Sequence, residues 1–255
     1  MTTLLAKHEP PPFVVERGDG SSEFFLTCDH ASNRIPESLA SLGLPGGELQ
    51  RHIAWDIGAA EVARHLSKRL DATLVLQNYS RLVVDCNRPS GHEQLIPLVS
   101  EATEVPGNQD IDVQDRARRI DEIFTPYHRA ITDHLDARQR RIARTVFVAI
   151  HSFTPVYRGA ERPWHIGILY RKDHSLAVQM LHELNADESV CVGDNQPYQI
   201  DQKDYGIPVH GEDRGLTHVL IEIRQDLIVS ESGQQAWGNR LHGLLTRALA
   251  TSNST

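Results

Sequence analysis

FFLTCDHASN, residues 24–33, sets five strand-forming residues directly against a polar cluster. The run from Phe24 to Cys28 is apolar and aromatic and is bounded by turn residues, so it reads as a short buried strand. Asp29, His30, Ala31, Ser32 and Asn33 then fall at its C-terminal end, where open α/β sheets place their ligands.

Working outward, Pro10 to Pro12 and Gly18 to Ser22 form an entry loop to that strand. Downstream, Val62, Ala63, Leu66 and Leu70 recur at helical spacing, which predicts an amphipathic helix over Ala59 to Leu70. Strands follow at Thr73 to Gln77 and Leu82 to Cys86. Gln94 to Ile111, with two prolines and a glycine, lacks periodicity and reads as a long loop able to form a lid. Asp112 to Arg141 predicts a long helix with a break or restart at Pro126, since proline lacks a donor and crowds the preceding turn. The β-branched run Thr145 to Ile150 ends in His151 and Ser152. Further strands are expected at Trp164 to Tyr170 and Thr217 to Ile223, then a last helix from Ser230 to Leu249 and a frayed tail, ATSNST. This alternation predicts a single α/β domain over residues 1–255, with a mixed, largely parallel sheet covered by helices on both faces.

Composition narrows the partners. With 26 Lys and Arg against 34 Asp and Glu, the net charge is −8. That excludes a nucleic-acid binder held by phosphate contacts, but a few converging arginines can still bind an anionic small molecule. No run approaches the roughly 18 apolar residues of a membrane span. Cys28, Cys86 and Cys191 form no CxxC pair and point to a reducing compartment, so a cytoplasmic enzyme is the expectation.

No HExxH, P-loop, GxSxG or GxGxxG occurs, so the chemistry must come from dispersed residues. His30 and His151 each follow a strand, and two imidazoles plus a carboxylate make a catalytic zinc shell with an open water position. Asp56 precedes a helix and serves either as that carboxylate or as a helix cap. Glu222 lies in the apolar strand VLIEIR, where an unpaired acid costs several kcal/mol, by order of magnitude. It either pairs with Arg224 on the same face or is a catalytic carboxylate whose pKa burial raises. The turn Asp85-Cys86-Asn87-Arg88-Pro89 offers a guanidinium and an amide for a substrate carboxylate, or is a plain surface turn.

Taken together, CDHASN at 28–33, HIAWDIGA at 52–59, SRLVVDCNRP at 80–89, PYH at 126–128 and AIHSF at 149–153 resemble the N-formylglutamate amidohydrolase family. More distantly, the DCNR turn and the IEIR strand are similar to the zinc carboxypeptidase and aspartoacylase group. The resemblance implies a zinc-carboxypeptidase-like fold and one Zn²⁺ ion held by His30, Asp56 and His151. It further implies Glu222 as the base that activates water, with Asn87 and Arg88, helped by Arg81, on the substrate carboxylate. His128 would act on the oxyanion or behind the metal. Where the carboxypeptidase group has His-x-x-Glu, this chain has His30-Ala31-Ser32-Asn33. An amide is a poor anionic ligand, so Asp56 is preferred to Asn33 for the metal and Asn33 is assigned to substrate. The implied reaction is hydrolysis of N-formyl-L-glutamate, or of another small anionic N-acyl amino acid, within histidine degradation. The departure at Asn33 leaves open a binding protein that keeps the pocket without activity, and a peptidase is a third reading.

Overall fold

In a computed structural model, residues 3–252 are described. In chain order they form β1 (Phe13–Glu16), β2 (Phe24–Cys28), α1 (Ala59–Leu70), β3 (Thr73–Gln77) and the hairpin β4 (Val99–Ser100) and β5 (Thr103–Glu104). There follow α2 (Val113–Arg119), α3 (Thr125–Arg138), β6 (Val146–Phe153), a second hairpin of β7 (Val156–Tyr157) and β8 (Ala160–Glu161), and β9 (Ile166–Leu169). α4 (Ser175–Asn185), β10 (Val192–Asp194), β11 (Thr217–Arg224) and α5 (Glu231–Ser252) complete the chain.

Seven strands make one sheet in the order β1-β3-β2-β6-β11-β9-β10. The block β3-β2-β6-β11 is parallel, β9 runs against β11, and β1 runs against β3. The mixed, largely parallel α/β sheet expected from the alternation is therefore what forms. Because the parallel strands end at one edge, His30, His151 and Glu222 arrive at the same edge from different places in the chain.

Side chains alternate across a strand. Val146, Val148 and Ile150 of β6, with Val219 and Ile221 of β11, bury against α1, α4 and α5. Phe147, Ala149 and Leu220 face the other way, toward Tyr127, Ile131 and Leu135 of α3. His151 and Glu222 have the parity of this second set and are directly paired in register. Helices thus cover both faces, and the chemistry belongs to the α3 side.

At four places the structure revises or sharpens the expectation. Leu82 to Cys86 is not a strand but a fully buried irregular run. Its carbonyls are met by side chains instead of a neighbouring strand: Asn108 Nδ2 donates to Leu82 O at 2.8 Å and Arg119 Nη1 to Val83 O at 3.2 Å. Residues 94–111 are not featureless, since they contain β4, β5 and two short 3₁₀ turns. They are also tied down, because Arg119 donates to Asn108 Oδ1 at 2.6 Å and to Gly107 O at 3.0 Å. In the helical region α2 is capped by Asp112, which accepts from Asp115 N at 2.7 Å, and a π turn over Ile120–Phe124 leads into α3. Pro126 sits in the first turn of α3, a restart rather than an interior break. The last helix runs to Ser252 and takes in the start of the expected tail; residues 253–255 lie outside the described residues. β1 and β10 were not foreseen, both being too short for a clear pattern.

Asn108 is the hub of this buried polar network, also donating to Pro97 O at 2.8 Å. Replacing it with Ala strands two buried carbonyls and one face of Arg119, each costing about 1–3 kcal/mol. Asn108→Ala is therefore expected to lower the urea-derived unfolding free energy by roughly 3 kcal/mol or more. A loss below about 1 kcal/mol would show that water takes over the role.

Candidate functional site

A cavity of about 590 Å³ opens at the C-terminal edge of the parallel strands. His30, Asp56, His151, Glu222, Arg81, Asn87 and Arg88 all line it. Among the described residues, His30, Asp56 and His151 form the one cluster whose ligand atoms lie within 4.8 Å of one another. All three are buried, at 2%, 3% and 3% exposure.

Asp56 is positioned by the main chain, its N–H bonded to His30 O at 2.9 Å. Its carboxylate does not cap α1. The cap is Gly58, with φ +79° and the Ile228 carbonyl oxygen 2.2 Å from where a Cβ would stand, so no other residue fits there. The carboxylate turns instead to the imidazoles, with Oδ2 2.8 Å from His151 Nδ1 and 3.3 Å from His30 Nδ1.

Each imidazole has a second carboxylate behind it. His30 Nε2 is 2.8 Å from Asp85 Oδ1. His151 Nε2 lies 3.4 Å from Asp29 Oδ2, an ion-pair distance whose alignment falls short of a hydrogen bond. Tyr127 Oη fixes Asp29 by donating to Oδ1 at 2.5 Å. Metal-binding histidines are held in this way, their other nitrogen on a carboxylate that sets the tautomer and ring orientation. Burial disfavours a charged His151, but Asp29 and Asp56 outweigh it and raise its pKa well above the ordinary value. Burial likewise pushes Asp56 up, yet the two histidines hold it below the carboxylate range. Three carboxylates around two imidazoles thus demand positive charge at their centre. That nitrogen and oxygen donor set fits a divalent cation such as zinc.

Glu222 is 7% exposed, and its buried Oε2 has no hydrogen-bond partner among the described residues. Arg224 does not pair with it, because that guanidinium binds Asp226 at 2.8 Å and the carbonyl of Pro163 at 3.0 Å. Burial raises the Glu222 pKa to about 7, with nearby Asp56 adding to the rise and the histidines opposing it. A carboxyl poised there exchanges protons readily at neutral pH.

The two arginines are held differently. Arg81 spends Nε and Nη2 on Asp85 Oδ2, at 3.1 and 2.8 Å, leaving Nη1 3.5 Å from Asp56 Oδ1. Arg88 is anchored through Nη1, to Asn87 O, Lys203 O and Asp204 Oδ1 at 2.9–3.1 Å, and among the described residues its Nε and Nη2 edge has no partner. Asn87 supports the same wall, Oδ1 accepting from the N–H groups of Tyr205 and Gly206.

Two expected residues are not brought to the cavity. Asn33 donates through Nδ2 to Leu49 O at 2.8 Å. His128 lies behind the site, with Nε2 on Cys86 O and Nδ1 on His210 Nε2, both at 2.9 Å. Burial lowers the His128 pKa to about 3 and that of His210 to about 4. Folded chains refuse these protons while unfolded chains accept them below about pH 6.5, so this pair lends stability above that pH and loses it as pH falls toward 4. His210→Gln is expected to shrink that acid-side loss in urea titrations at pH 7 and pH 5 by about 1.4 kcal/mol per pH unit. An identical pH dependence in wild type and variant would remove the pair from the acid response.

The sequence reading missed Asp29 and Asp85 as backing groups, although Asp29 adjoins His30 and Asp85 lies in the DCNR turn. It also missed Tyr157 and Tyr198 in the cavity wall. Tyr198 is delivered by a segment that crosses the sheet edge at Gly167, where Gln196 O comes within 2.0 Å of the place a Cβ would occupy.

A family model described as FGase, N-formylglutamate amidohydrolase, matches residues 22–229. No curated protein matches. Among solved structures, the Atu2144 gene product from Agrobacterium tumefaciens is 39% identical with a TM-score of 0.94, covering 97% of this chain and 98% of that one. An N-formylglutamate amidohydrolase from Ralstonia eutropha JMP134 shares the fold at 17% identity and a TM-score of 0.70, over 96% and 100% of the two chains.

Proposed function

The chain belongs to the N-formylglutamate amidohydrolase family, and from that premise we propose a metal-dependent hydrolase that cleaves the amide of a small anionic N-acyl amino acid. N-formyl-L-glutamate, giving formate and L-glutamate, is the first substrate to test. The observation that carries this reading is the unpartnered, buried carboxylate oxygen of Glu222 in the cavity that also holds His30, Asp56 and His151.

His30, Asp56 and His151 would hold the cation, zinc by preference of the donor set. When bound, it would supply Lewis-acid polarisation of the scissile carbonyl and a lowered pKa for water. Glu222 takes the proton of the attacking water on Oε2 and returns it to the leaving amine nitrogen. Arg88 receives the substrate carboxylate on its free edge, in the paired geometry guanidinium groups favour. Asn87 keeps that wall in place through Tyr205 and Gly206. Arg81, with Nε and Nη2 spent on Asp85 and Nη1 3.5 Å from Asp56 Oδ1, keeps these two carboxylates in place and has less to offer a substrate carboxylate than Arg88. Asp85 and Asp29 hold the imidazole rings in orientation.

The reading as an inactive binding protein drew its support from Asn33. Asn33 is bonded to Leu49 outside the cavity, while Asp56 supplies the charge that the amide lacks. The test is formate release from N-formyl-L-glutamate by purified protein after chelation and after return of zinc. Turnover that disappears with chelator and returns with zinc supports the proposal. No amide hydrolysis of N-formyl-L-glutamate or of other small N-acyl amino acids by metal-loaded, folded protein, read as free amino acid, overturns it.

A further inference from the structure

We propose that the site takes acyl groups larger than formyl, and that an N-acyl amino acid with an aromatic acyl group is a better substrate than the N-formyl compound. This rests on the amidohydrolase reading above and names the substrate class of the same site.

Size is the first argument. Cavities of roughly 300–1,000 Å³ enclose drug-sized ligands, and this one measures about 590 Å³. A formyl amino acid has only about a dozen non-hydrogen atoms, well below that class. A substrate of that size would leave much of the cavity to water and gain nothing from its outer walls.

The second argument is how those walls are made. Tyr157 and Tyr198 line the cavity, and the Arg162 guanidinium lies over both rings, 4.6 and 4.7 Å from their centroids. Arg162 Nη1 also donates to Tyr198 Oη at 2.8 Å. Tyr198 is therefore fixed in place although 42% exposed. A ring held rigidly at the surface offers large contact area at little entropic cost, which suits it to binding. Val99 and Val156, 43% and 48% exposed, stand in the two hairpins that carry or adjoin the same wall.

The third argument assigns the extra space to the acyl half. The carboxylate-bearing half of the substrate is matched by Asn87, Arg88 and Lys203, which are linked by hydrogen bonds into one polar wall. Leu169, Ile200 and Leu220 add apolar lining to the cavity. The rest of the lining mixes these side chains with charged ones such as Glu101 and Arg158, so it is the aromatic pair Tyr157 and Tyr198 that falls to whatever lies on the carbonyl side of the scissile bond.

The experiment compares kcat/KM of zinc-loaded protein on N-formyl-, N-acetyl- and N-phenylacetyl-L-glutamate. The phenylacetyl compound is expected to exceed the formyl compound by at least about 10-fold, since a single methylene in a hydrophobic pocket is already worth about 10–200-fold. Tyr157→Ala and Tyr198→Ala should remove most of that advantage, chiefly through KM, whereas Tyr198→Phe keeps it. Preference for the formyl compound, or equal losses on all three substrates in the Ala variants, overturns this inference alone. Hydrolysis of none of them by folded, metal-loaded protein overturns the amidohydrolase reading and this inference with it.

Discussion

Glu222→Gln is expected to lower kcat by about 10²–10⁴-fold, with little change in KM and with metal content intact. Glutamine keeps the volume and one carbonyl oxygen but cannot take up a proton. The expectation follows from Oε2, which is buried and has no hydrogen-bond partner, so the carboxylate is not spent on structure. A structural role predicts the opposite pattern. Were Glu222 balancing a buried cation, the variant would melt earlier and turn over normally, since an unpaired buried charge costs about 3–5 kcal/mol. Arg224, the natural candidate, is occupied by Asp226. The sign of the pKa shift agrees. A folded value near 7 against an unfolded value near 4.5 means that the folded state binds the proton more tightly, and that stability is lost as pH rises between them. Removing the acid should therefore leave metal-free protein at pH 7 no less stable than wild type. Normal kcat in folded, metal-loaded variant would remove Glu222 from the mechanism.

What the sequence made legible follows a physical division. Strands such as β2, β3 and β11 were readable because burial on both sides of a parallel sheet demands unbroken apolar runs. The same criterion misled at Leu82 to Cys86, which is as apolar and as buried as a strand. Its backbone is satisfied by Asn108 and Arg119, and no local pattern in the run announces partners 25 or more residues away. His30 and His151 could be paired from strand ends alone, since parallel strands deliver their C-terminal residues to one edge. Asp56 could not be separated from a helix cap until its carboxylate was seen to face the imidazoles. Motif membership likewise could not tell His128 in the PYH run from a cavity residue. Its ring lies behind the site against His210, a contact between residues that sequence gave no reason to join.

The charge of Asp56 underlies the second large expectation: Asp56→Ala, and equally Asp56→Asn, should lose metal and with it nearly all activity, while Asn33→Ala keeps both. Asp56 supplies the only anionic oxygen in the cluster of three, and without it two neutral nitrogens remain. Partners outside a metal's own ligands typically cost about 10–100-fold in affinity when removed, so loss of a ligand should cost more. The Asn variant separates charge from shape. It retains an oxygen able to accept from His151 Nδ1 and from Ser152 N, which now reach Oδ2 at 2.8 and 3.3 Å. If hydrogen bonding alone positioned the rings, Asn would preserve the site. If negative charge is what the cation requires, Asn fails as Ala does. Neither change touches the backbone bonds from Asp56 N to His30 O and from Ala59 N to Asp56 O, so α1 and the loop before it should stay folded. Elemental analysis after dialysis, with circular dichroism on the same samples, reads both quantities. One equivalent of zinc retained by Asp56→Ala, or lost by Asn33→Ala, would move the ligand role away from Asp56.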